Sequence, residues 1–134
     1  MLSRVLVVED NNANRELVVA LLEQEGCEIL IAGTAEAGLR LVREARPHLI
    51  LMDVHLPGMS GYEATKQLKA DPVTARIPIL AVTAQAMKED ETRAQQAGCD
   101  GYIAKPLEAK AFCETIRRFL AQGTDEPGHR KKED

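Results

Sequence analysis

The sequence is poor in aromatic residues and in paired cysteines, and both shortages exclude kinds of site. Its 134 residues contain no tryptophan, two tyrosines and two phenylalanines. A flavin electron carrier is therefore disfavoured, because flavin sites use stacking aromatic side chains. The three cysteines are scattered and have no C-x-x-C spacing. We interpret them as reduced cytosolic thiols in or near the core.

Long apolar runs and an excess of basic residues are also missing. No run approaches the ~20 apolar residues of a membrane-spanning helix, and the first residues carry no signal-peptide pattern. The 17 basic and 21 acidic residues leave a net charge of −4 and a pI near 5.4. General nucleic-acid binding needs a basic face. We therefore predict a cytoplasmic protein without a membrane or nucleic-acid partner.

Apolar runs alternate with helical patterns along the chain, whose length favours a single domain. Strands are predicted at 4–8, 27–32, 48–52, 77–82 and 102–104. Helices are predicted at about 12–25, 35–45, 61–70, 86–97 and 108–121. This alternation predicts an α/β fold, a doubly wound five-stranded parallel sheet with helices on both faces. The last strand is short and suits an edge of the sheet.

Local signals support several helix ends. Gly26 is expected just after the first helix, Thr34 at the N-cap of the second, and Ser60 with Glu63 forms a capping box for the third. Residues 122–134 are rich in charge and contain almost nothing apolar. We therefore predict a domain over residues 1–121 followed by a disordered tail.

Polar side chains follow four of the predicted strands. They are Glu9 and Asp10 after the first strand, Asp53 after the third, Thr83 after the fourth and Lys105 after the fifth. The carboxyl ends of parallel strands share one edge, which is where open α/β sheets place their chemistry. Clustered carboxylates need a cation, and oxygen ligands select Mg²⁺. With an ammonium and a hydroxyl nearby, the set suits phosphoryl transfer to a carboxylate.

The chain resembles the receiver domain of two-component response regulators, the class of the chemotaxis response regulator. The resemblance covers residues 4 to about 121 and rests on motifs in family order. These motifs are Val7-Val8-Glu9-Asp10-Asn11, Leu51-Met52-Asp53, Leu56-Pro57-Gly58-Met59-Ser60-Gly61, Ala81-Val82-Thr83-Ala84 and Gly101-Tyr102-Ile103-Ala104-Lys105-Pro106. It implies a flavodoxin-like (βα)5 fold with strand order 2-1-3-4-5.

The resemblance also implies roles at the strand ends. Asp53 would be the phospho-acceptor, taking its phosphoryl group from a histidine kinase or a histidine phosphotransfer domain. Asp10 and Asp53 would ligate Mg²⁺, with Glu9 acting through water and the backbone carbonyl of His55 as a further ligand. Glu9 replaces an aspartate often found there, which keeps the charge but changes its reach.

A switch is implied on the other side of the acceptor. Thr83 and Lys105 would contact the phosphoryl oxygens, and Thr83 would move as Tyr102 rotates into the space that it leaves. The surface of the fourth helix, fifth strand and fifth helix would then change for a downstream partner. Tyr102 could alternatively be a half-buried aromatic residue of an edge strand. The bond from Lys105 to Pro106 is expected to be cis.

Other positions bear on the rim of the site and on partners. His55, Gln85 and Pro106 are expected at the rim, although the imidazole of His55 has no second histidine or cysteine at metal-binding spacing. The first helix is apolar for six consecutive residues, 17–22. This run predicts either a thickly packed helix or an exposed patch where a phosphotransfer helix docks. The docking contacts would be Asn14, Arg15 and Val18.

Three functions remain open at this point. The first is a phosphorylation-driven switch that catalyses only its own phosphorylation and dephosphorylation. It would be a single-domain regulator, the alternative favoured by the start at Met1, or the receiver of a hybrid kinase, and either a monomer or a phosphorylation-dependent dimer. The second is a scaffold that needs no phosphorylation. The third is an aspartyl phosphatase, which usually has an Asp-x-Asp pair where Asp53 is followed here by Val54 and His55.

Overall fold

The computed structural model of the chain describes residues 2–83, 88–105 and 107–124. The strands are β1 Arg4–Val8, β2 Glu28–Ala32, β3 Leu49–Asp53, β4 Ile79–Thr83 and β5 Gly101–Ala104. The helices are α1 Asn12–Gln24, α2 Ala35–Ala45, α3 Gly61–Ala70, α4 Lys88–Ala97 and α5 Ala109–Thr124. Strands and helices therefore alternate as the sequence predicts.

The five strands form one parallel sheet in the order β2-β1-β3-β4-β5. The predicted fold class and strand order are confirmed. The register pairs Val8 with Met52, Asp53 with Val82, and Thr83 with Ala104. Because the carboxyl ends are aligned in this way, β1, β3, β4 and β5 deliver the residues that follow them to one edge.

Burial follows the position of each strand in the sheet. Every residue of β3 and β4 is buried, as expected for central strands with helices on both faces. All four residues of β5 are half-buried, which agrees with its predicted edge position. At the other edge, Ile31 of β2 is 47% exposed.

Two hydrophobic clusters cover the two faces of the sheet. One packs α1 and α5 against the sheet through side chains that include Leu22, Phe112 and Ile116. The other packs α2 and α3 against the opposite face through side chains that include Val42 and Leu68. The buried residues Phe112, Ile116 and Phe119 are spaced four and three residues apart, so they share the side of α5 that faces the sheet.

The predicted caps are present. The Thr34 hydroxyl accepts a hydrogen bond from the Ala37 N–H at 3.1 Å, and the Ser60 hydroxyl accepts one from the Glu63 N–H at 3.2 Å. Each bond satisfies an amide in a first helical turn. Gly26 has a φ of 76° and ends α1 in the left-handed conformation that glycine adopts without strain.

Several boundaries differ from the prediction by one to three residues. Asp53 and Thr83 are the last residues of β3 and β4 rather than the first residues of loops. Each completes a pair with the neighbouring strand, and that pairing fixes its backbone in the sheet. The last helix continues to Thr124 instead of ending near 121. The predicted start of the fourth helix and the tail beyond Thr124 lie outside the described residues.

Lys69 connects the segments that precede β4 and β5, at the amino ends of these strands. The Lys69 ammonium on α3 donates to the carbonyls of Ala75 and Ile77, at 3.0 and 2.9 Å, and to Asp100 Oδ2 at 2.8 Å. Asp100 Oδ2 also accepts from the Ile79 N–H at 2.9 Å. One side chain thereby joins the segment before β4 to the segment before β5.

Replacing this lysine should destabilise the protein. Lys69→Met keeps an apolar stem but removes the donor of three hydrogen bonds, so we expect unfolding by urea to show a loss of about 1–3 kcal/mol. Lys66→Met is the matched control because Lys66 is an exposed lysine on the same helix. Equal losses in the two variants would contradict this account.

Candidate functional site

Five polar side chains converge at the carboxyl edge of the sheet. Glu9 and Asp10 follow β1, Asp53 ends β3, Thr83 ends β4 and Lys105 follows β5. These four strands are neighbours in the sheet. Glu9, Asp53 and Thr83 are buried, at 3%, 5% and 0% exposure. The site is therefore a set of polar groups embedded in apolar strand ends.

Three carboxylates form a cluster that could hold a cation. Glu9, Asp10 and Asp53 each offer one carboxylate oxygen, and these oxygens lie within 4.8 Å of one another. Asp10 is exposed and leaves one side of the cluster open to solvent. Asp53 Oδ1 accepts a hydrogen bond from the His55 N–H at 3.0 Å, which orients that carboxylate. Oxygen-only donors with an open side fit Mg²⁺, which keeps several of its waters.

The Glu9 carboxylate is the most engaged member of the cluster. Its Oε1 pairs with the Lys105 ammonium at 3.1 Å, and its Oε2 accepts from the Asn11 N–H at 3.2 Å. Burial and the neighbouring Asp53 carboxylate nevertheless raise the pKa of Glu9 above its ordinary value. Desolvation and the like charge therefore outweigh the ammonium.

Lys105, which follows β5, contacts both Thr83 and Glu9. Its backbone N–H donates to the Thr83 carbonyl at 2.7 Å, and its side chain reaches across to Glu9. The resemblance predicts Lys105 contacts with phosphoryl oxygens, whereas the ion pair found here joins it to Glu9. The longer side chain at position 9, compared with aspartate, places a carboxylate within reach of the ammonium.

Arg15 braces the loop that carries the acidic pair. Its guanidinium donates to the Glu9 carbonyl at 3.0 Å and to the Asn12 side-chain oxygen. In the same loop, Asn11 Oδ1 caps α1 by accepting from the Asn14 N–H at 2.9 Å. The sequence prediction missed this brace, because an arginine in the first turns of a helix indicates only a solvent-facing side chain.

The start of α3 presses directly on the backbone of Asp53. A Cβ on Gly61 would lie 2.2 Å from the Asp53 carbonyl oxygen and 2.8 Å from the Val54 Cα. The Gly61 N–H donates to the Val54 carbonyl at 3.3 Å. Only glycine permits this approach, so the position of α3 is set by the strand end that carries Asp53.

Comparison with known proteins agrees with this geometry. A family model for the response regulator receiver domain matches residues 5–117. The chain belongs to the response regulator receiver family. The predicted family is thus confirmed. Its general role is that of a receiver in two-component signal transduction, and it is not a classical enzyme family.

Curated relatives include the polar-differentiation response regulators DivK of Brucella species. The chain is 48% identical to the Brucella anthropi protein over 116 residues, which cover 87% of this chain and 94% of the relative. It is 47% identical to the Brucella abortus protein over 120 residues, which cover 90% and 98%. The alignments therefore span nearly the whole of these relatives.

Solved receiver domains have the same fold. A CheY-like receiver domain protein from Methanospirillum hungatei superposes with a TM-score of 0.85 at 31% identity, covering 93% of this chain and 98% of its own. The receiver domain of the sensor histidine kinase PA1611 from Pseudomonas aeruginosa gives 0.84 at 31% identity, covering 90% and 99%. That structure has a magnesium ion coordinated in its active-site cleft.

The two residues predicted to form the receiver's switch lie on neighbouring strands. Thr83 is fully buried at the end of β4. Tyr102 is half-buried in β5, where it packs against a third hydrophobic cluster that includes Val54, Tyr62 and Ala94. Burial and the carboxylates of α4 raise the pKa of Tyr102. Its placement suits both the switch and the edge-strand interpretations.

The predicted rim is described only in part. The His55 side chain is exposed beside Asp53, which agrees with a rim position. Gln85 and Pro106 lie outside the described residues, and the isomer of the bond to Pro106 stays a prediction.

No helix within residues 2–83, 88–105 and 107–124 is long and apolar enough to span a membrane.

The prediction that Val18 is an exposed docking contact is wrong. Val18 is 3% exposed and belongs to the core cluster between α1 and the sheet. Its neighbour Leu17 is 46% exposed. Successive helical residues point about 100° apart, so the apolar run has a packed side and an exposed side. Asn14 and Arg15 are half-buried.

The acidic cluster predicts that Mg²⁺ stabilises the fold. At a free concentration ten times the Kd, binding should add about 1.4 kcal/mol to the free energy of unfolding. Because the pKa of Glu9 is raised, its charged form disfavours folding, and this cost grows as the pH rises through that pKa. The gain from Mg²⁺ should therefore be largest at neutral pH and shrink as acid protonates Glu9.

Thermal unfolding with Mg²⁺ and with EDTA, at about pH 7.5 and at a series of lower pH values, measures this gain. Asp10→Asn should abolish most of it by removing a charged ligand. Asp71→Asn is the control, since Asp71 lies after α3, away from the cluster. A gain that is unchanged in Asp10→Asn would contradict the assignment.

Proposed function

We propose that the protein is a phospho-accepting switch and that Asp53 receives the phosphoryl group from a histidine kinase or a histidine phosphotransfer domain. The observation that carries the proposal is the meeting of Asp53 with Glu9 and Asp10 within 4.8 Å, beside a lysine that reaches Glu9 at 3.1 Å. This arrangement combines a carboxylate nucleophile, a place for a cation and an ammonium.

The proposed step is an in-line transfer. An Asp53 carboxylate oxygen attacks the phosphorus, the bond from phosphorus to the donor's imidazole nitrogen breaks, and its electron pair stays on that nitrogen. Glu9, Asp10, Asp53 and the His55 carbonyl would hold Mg²⁺, which supplies positive charge to the transferring group. Lys105 would leave Glu9 for a phosphoryl oxygen, and Thr83 would donate to another.

The output would follow from that second contact. Movement of Thr83 toward the phosphoryl group would open space for Tyr102, and their strands are adjacent. The surface formed by α4, β5 and α5 would then change for a downstream protein. A depression of about 340 Å³ lies on this surface and is lined in part by Glu91, Gln95 and Tyr102. Tyr102 is one of the residues that line it, so a rotation of the Tyr102 ring would change the surface there.

Incubation with acetyl phosphate and Mg²⁺, followed by intact-mass spectrometry, tests the acceptor. Wild type should gain one phosphoryl group, Asp53→Asn should gain none because the amide is a poor nucleophile, and the control Asp71→Asn should behave as wild type. Wild type that stays unmodified would favour the scaffold. Steady turnover of a free phosphate ester would favour the aspartyl phosphatase.

Docking of the phosphodonor protein is proposed on the exposed side of α1. Leu17 takes the apolar role that buried Val18 cannot have, and Asn14, three residues earlier, lies on the same side of the helix. Arg15 lies on another side, where it donates to the Glu9 carbonyl. A partner that packed on Leu17 would remove this exposed apolar side chain from water. The same helix starts at the loop that carries Glu9 and Asp10, so a protein bound there would lie close to Asp53.

Leu17→Glu should slow transfer from a phosphorylated histidine kinase at least ~tenfold, because an unpaired charge would be buried in the interface. Acetyl phosphate, which needs no docking surface, should phosphorylate it at the wild-type rate. Val73→Glu is the matched control, since Val73 is 56% exposed and lies between α3 and the amino end of β4, away from the carboxyl ends of the strands. Equal slowing with both donors would contradict docking at Leu17.

A further inference from the structure

A tyrosine and an aspartate meet in the interior between α3 and α4. Tyr62 and Asp90 are 5% and 7% exposed. The Tyr62 hydroxyl lies 3.3 Å from Asp90 Oδ1 and 3.5 Å from the Asp90 carbonyl oxygen, so it can donate to either. A buried carboxylate is costly unless it is hydrogen-bonded or paired. The hydroxyl is therefore a large part of what makes the position of Asp90 tolerable.

Arg93 completes the contact from the same helix. Its guanidinium carbon lies 4.3 Å from the centroid of the Tyr62 ring, a distance typical of cation–π attraction. Burial and the Asp90 carboxylate raise the pKa of Tyr62 to about 12, so the hydroxyl keeps its proton at neutral pH. We call Tyr62, Asp90 and Arg93 the α3–α4 clamp.

The clamp is connected to the phospho-acceptor by the backbone. Gly61, which precedes Tyr62, is packed against the Asp53 carbonyl and donates to the Val54 carbonyl at 3.3 Å. Val54 and Tyr62 belong to the same buried cluster, together with alanines of α4. A shift of the β3 end must therefore displace the residue that holds Asp90.

Few large apolar side chains anchor α4 itself. Its sequence is KEDETRAQQA, and among residues 89–97, whose burial is described, the buried ones are Asp90, Ala94 and Ala97. Alanine side chains bury little apolar surface, and elements with small buried contacts open easily. Beside the packing of Ala94 and Ala97, the clamp is therefore one of the contacts that define where α4 lies.

We propose that Tyr62 is a positioning residue that couples the backbone of Asp53 to α4 through Asp90 and Arg93. This route runs beside the Thr83–Tyr102 switch and reaches the same helix from α3, whereas Tyr102 reaches it from β5. It rests on the proposed phosphorylation of Asp53, because that event supplies the displacement to be transmitted. Energetic coupling between the two ends is the property that distinguishes this role from simple packing.

Tyr62→Phe in the full chain tests the hydroxyl. The ring stays for packing and for Arg93, while Asp90 loses its donor. Residue-resolved amide hydrogen exchange should become about tenfold faster in α4, beyond any change in β3 that reports global stability. Thr65→Val is the matched control, because it removes another fully buried hydroxyl from α3 that lies near Cys99 instead of Asp90. Its α4 exchange should follow its global stability.

The coupling is measured by adding acetyl phosphate and Mg²⁺. In wild type, phosphorylation should change exchange across α4, and in Tyr62→Phe this change should fall by half or more although the mass shows the same phosphoryl gain. A full response in phosphorylated Tyr62→Phe overturns the inference and leaves the proposed function standing. Wild type that gains no phosphoryl group overturns the proposed function, and the resting exchange then decides whether the hydroxyl holds α4.

Asp90→Asn provides a second variant if Tyr62→Phe folds poorly. The amide oxygen can still accept from Tyr62, but the charge that strengthens the bond is gone. We expect the same two effects at smaller size, with α4 exchange about threefold faster at rest. Wild-type exchange in α4, both at rest and after phosphorylation, would overturn the clamp.

Discussion

Mutual repulsion of three carboxylates at one edge of the sheet is the constraint on which the rest of this structure depends. The carboxylate oxygens of Glu9, Asp10 and Asp53 lie within 4.8 Å of one another. The strands that bring them together are fixed by hydrophobic side chains packed in the two core clusters. Two of the three are buried, so water relieves little of their repulsion. Burial first, and the neighbouring Asp53 carboxylate second, raise the pKa of Glu9 above its ordinary value.

The contacts around the cluster oppose that repulsion without cancelling it. Lys105 pairs with Glu9, the Asn11 N–H donates to the same carboxylate, and Arg15 holds the loop carbonyl. A fully neutralised cluster would have little affinity for an added cation. An incompletely neutralised one is stabilised by a bound cation, and the same cation would offset the negative charge that a phosphoryl group brings.

The sequence predicted the fold well because its decisive signals are local. Continuous apolar runs such as 49–52 indicate strands buried on both faces, and residues such as Thr34 mark helix starts. The convergence at the site followed from topology alone, since parallel strands place Asp53 and Lys105 at one edge. Strand ends were displaced by a residue because pairing with a neighbour, rather than composition, decides where a strand stops.

The missed features all depend on direction or on distant partners. In a helix that is apolar for six residues, the sequence does not identify which side meets the sheet. The prediction therefore named Val18, which is buried, as the docking contact and did not name Leu17, which is exposed. The Arg15 side chain bonds the Glu9 carbonyl in the loop before α1, and the residues next to an arginine in sequence do not indicate such a contact. The pair of Tyr62 and Asp90 joins residues 28 positions apart, and each alone is typical of a helix surface.

Both proposed routes from the acceptor end in the same small cluster. Val54 enters it from the acceptor strand, Tyr62 from α3, Ala94 from α4 and Tyr102 from β5. Close-packed interiors shift between discrete arrangements instead of deforming continuously. A Tyr102 rotation that needs volume here must therefore be accommodated by α4, whose position Tyr62 restrains through Asp90. The output would then depend on the balance between these two tyrosines, one on α3 and one on β5, because α4 itself carries no large apolar side chain.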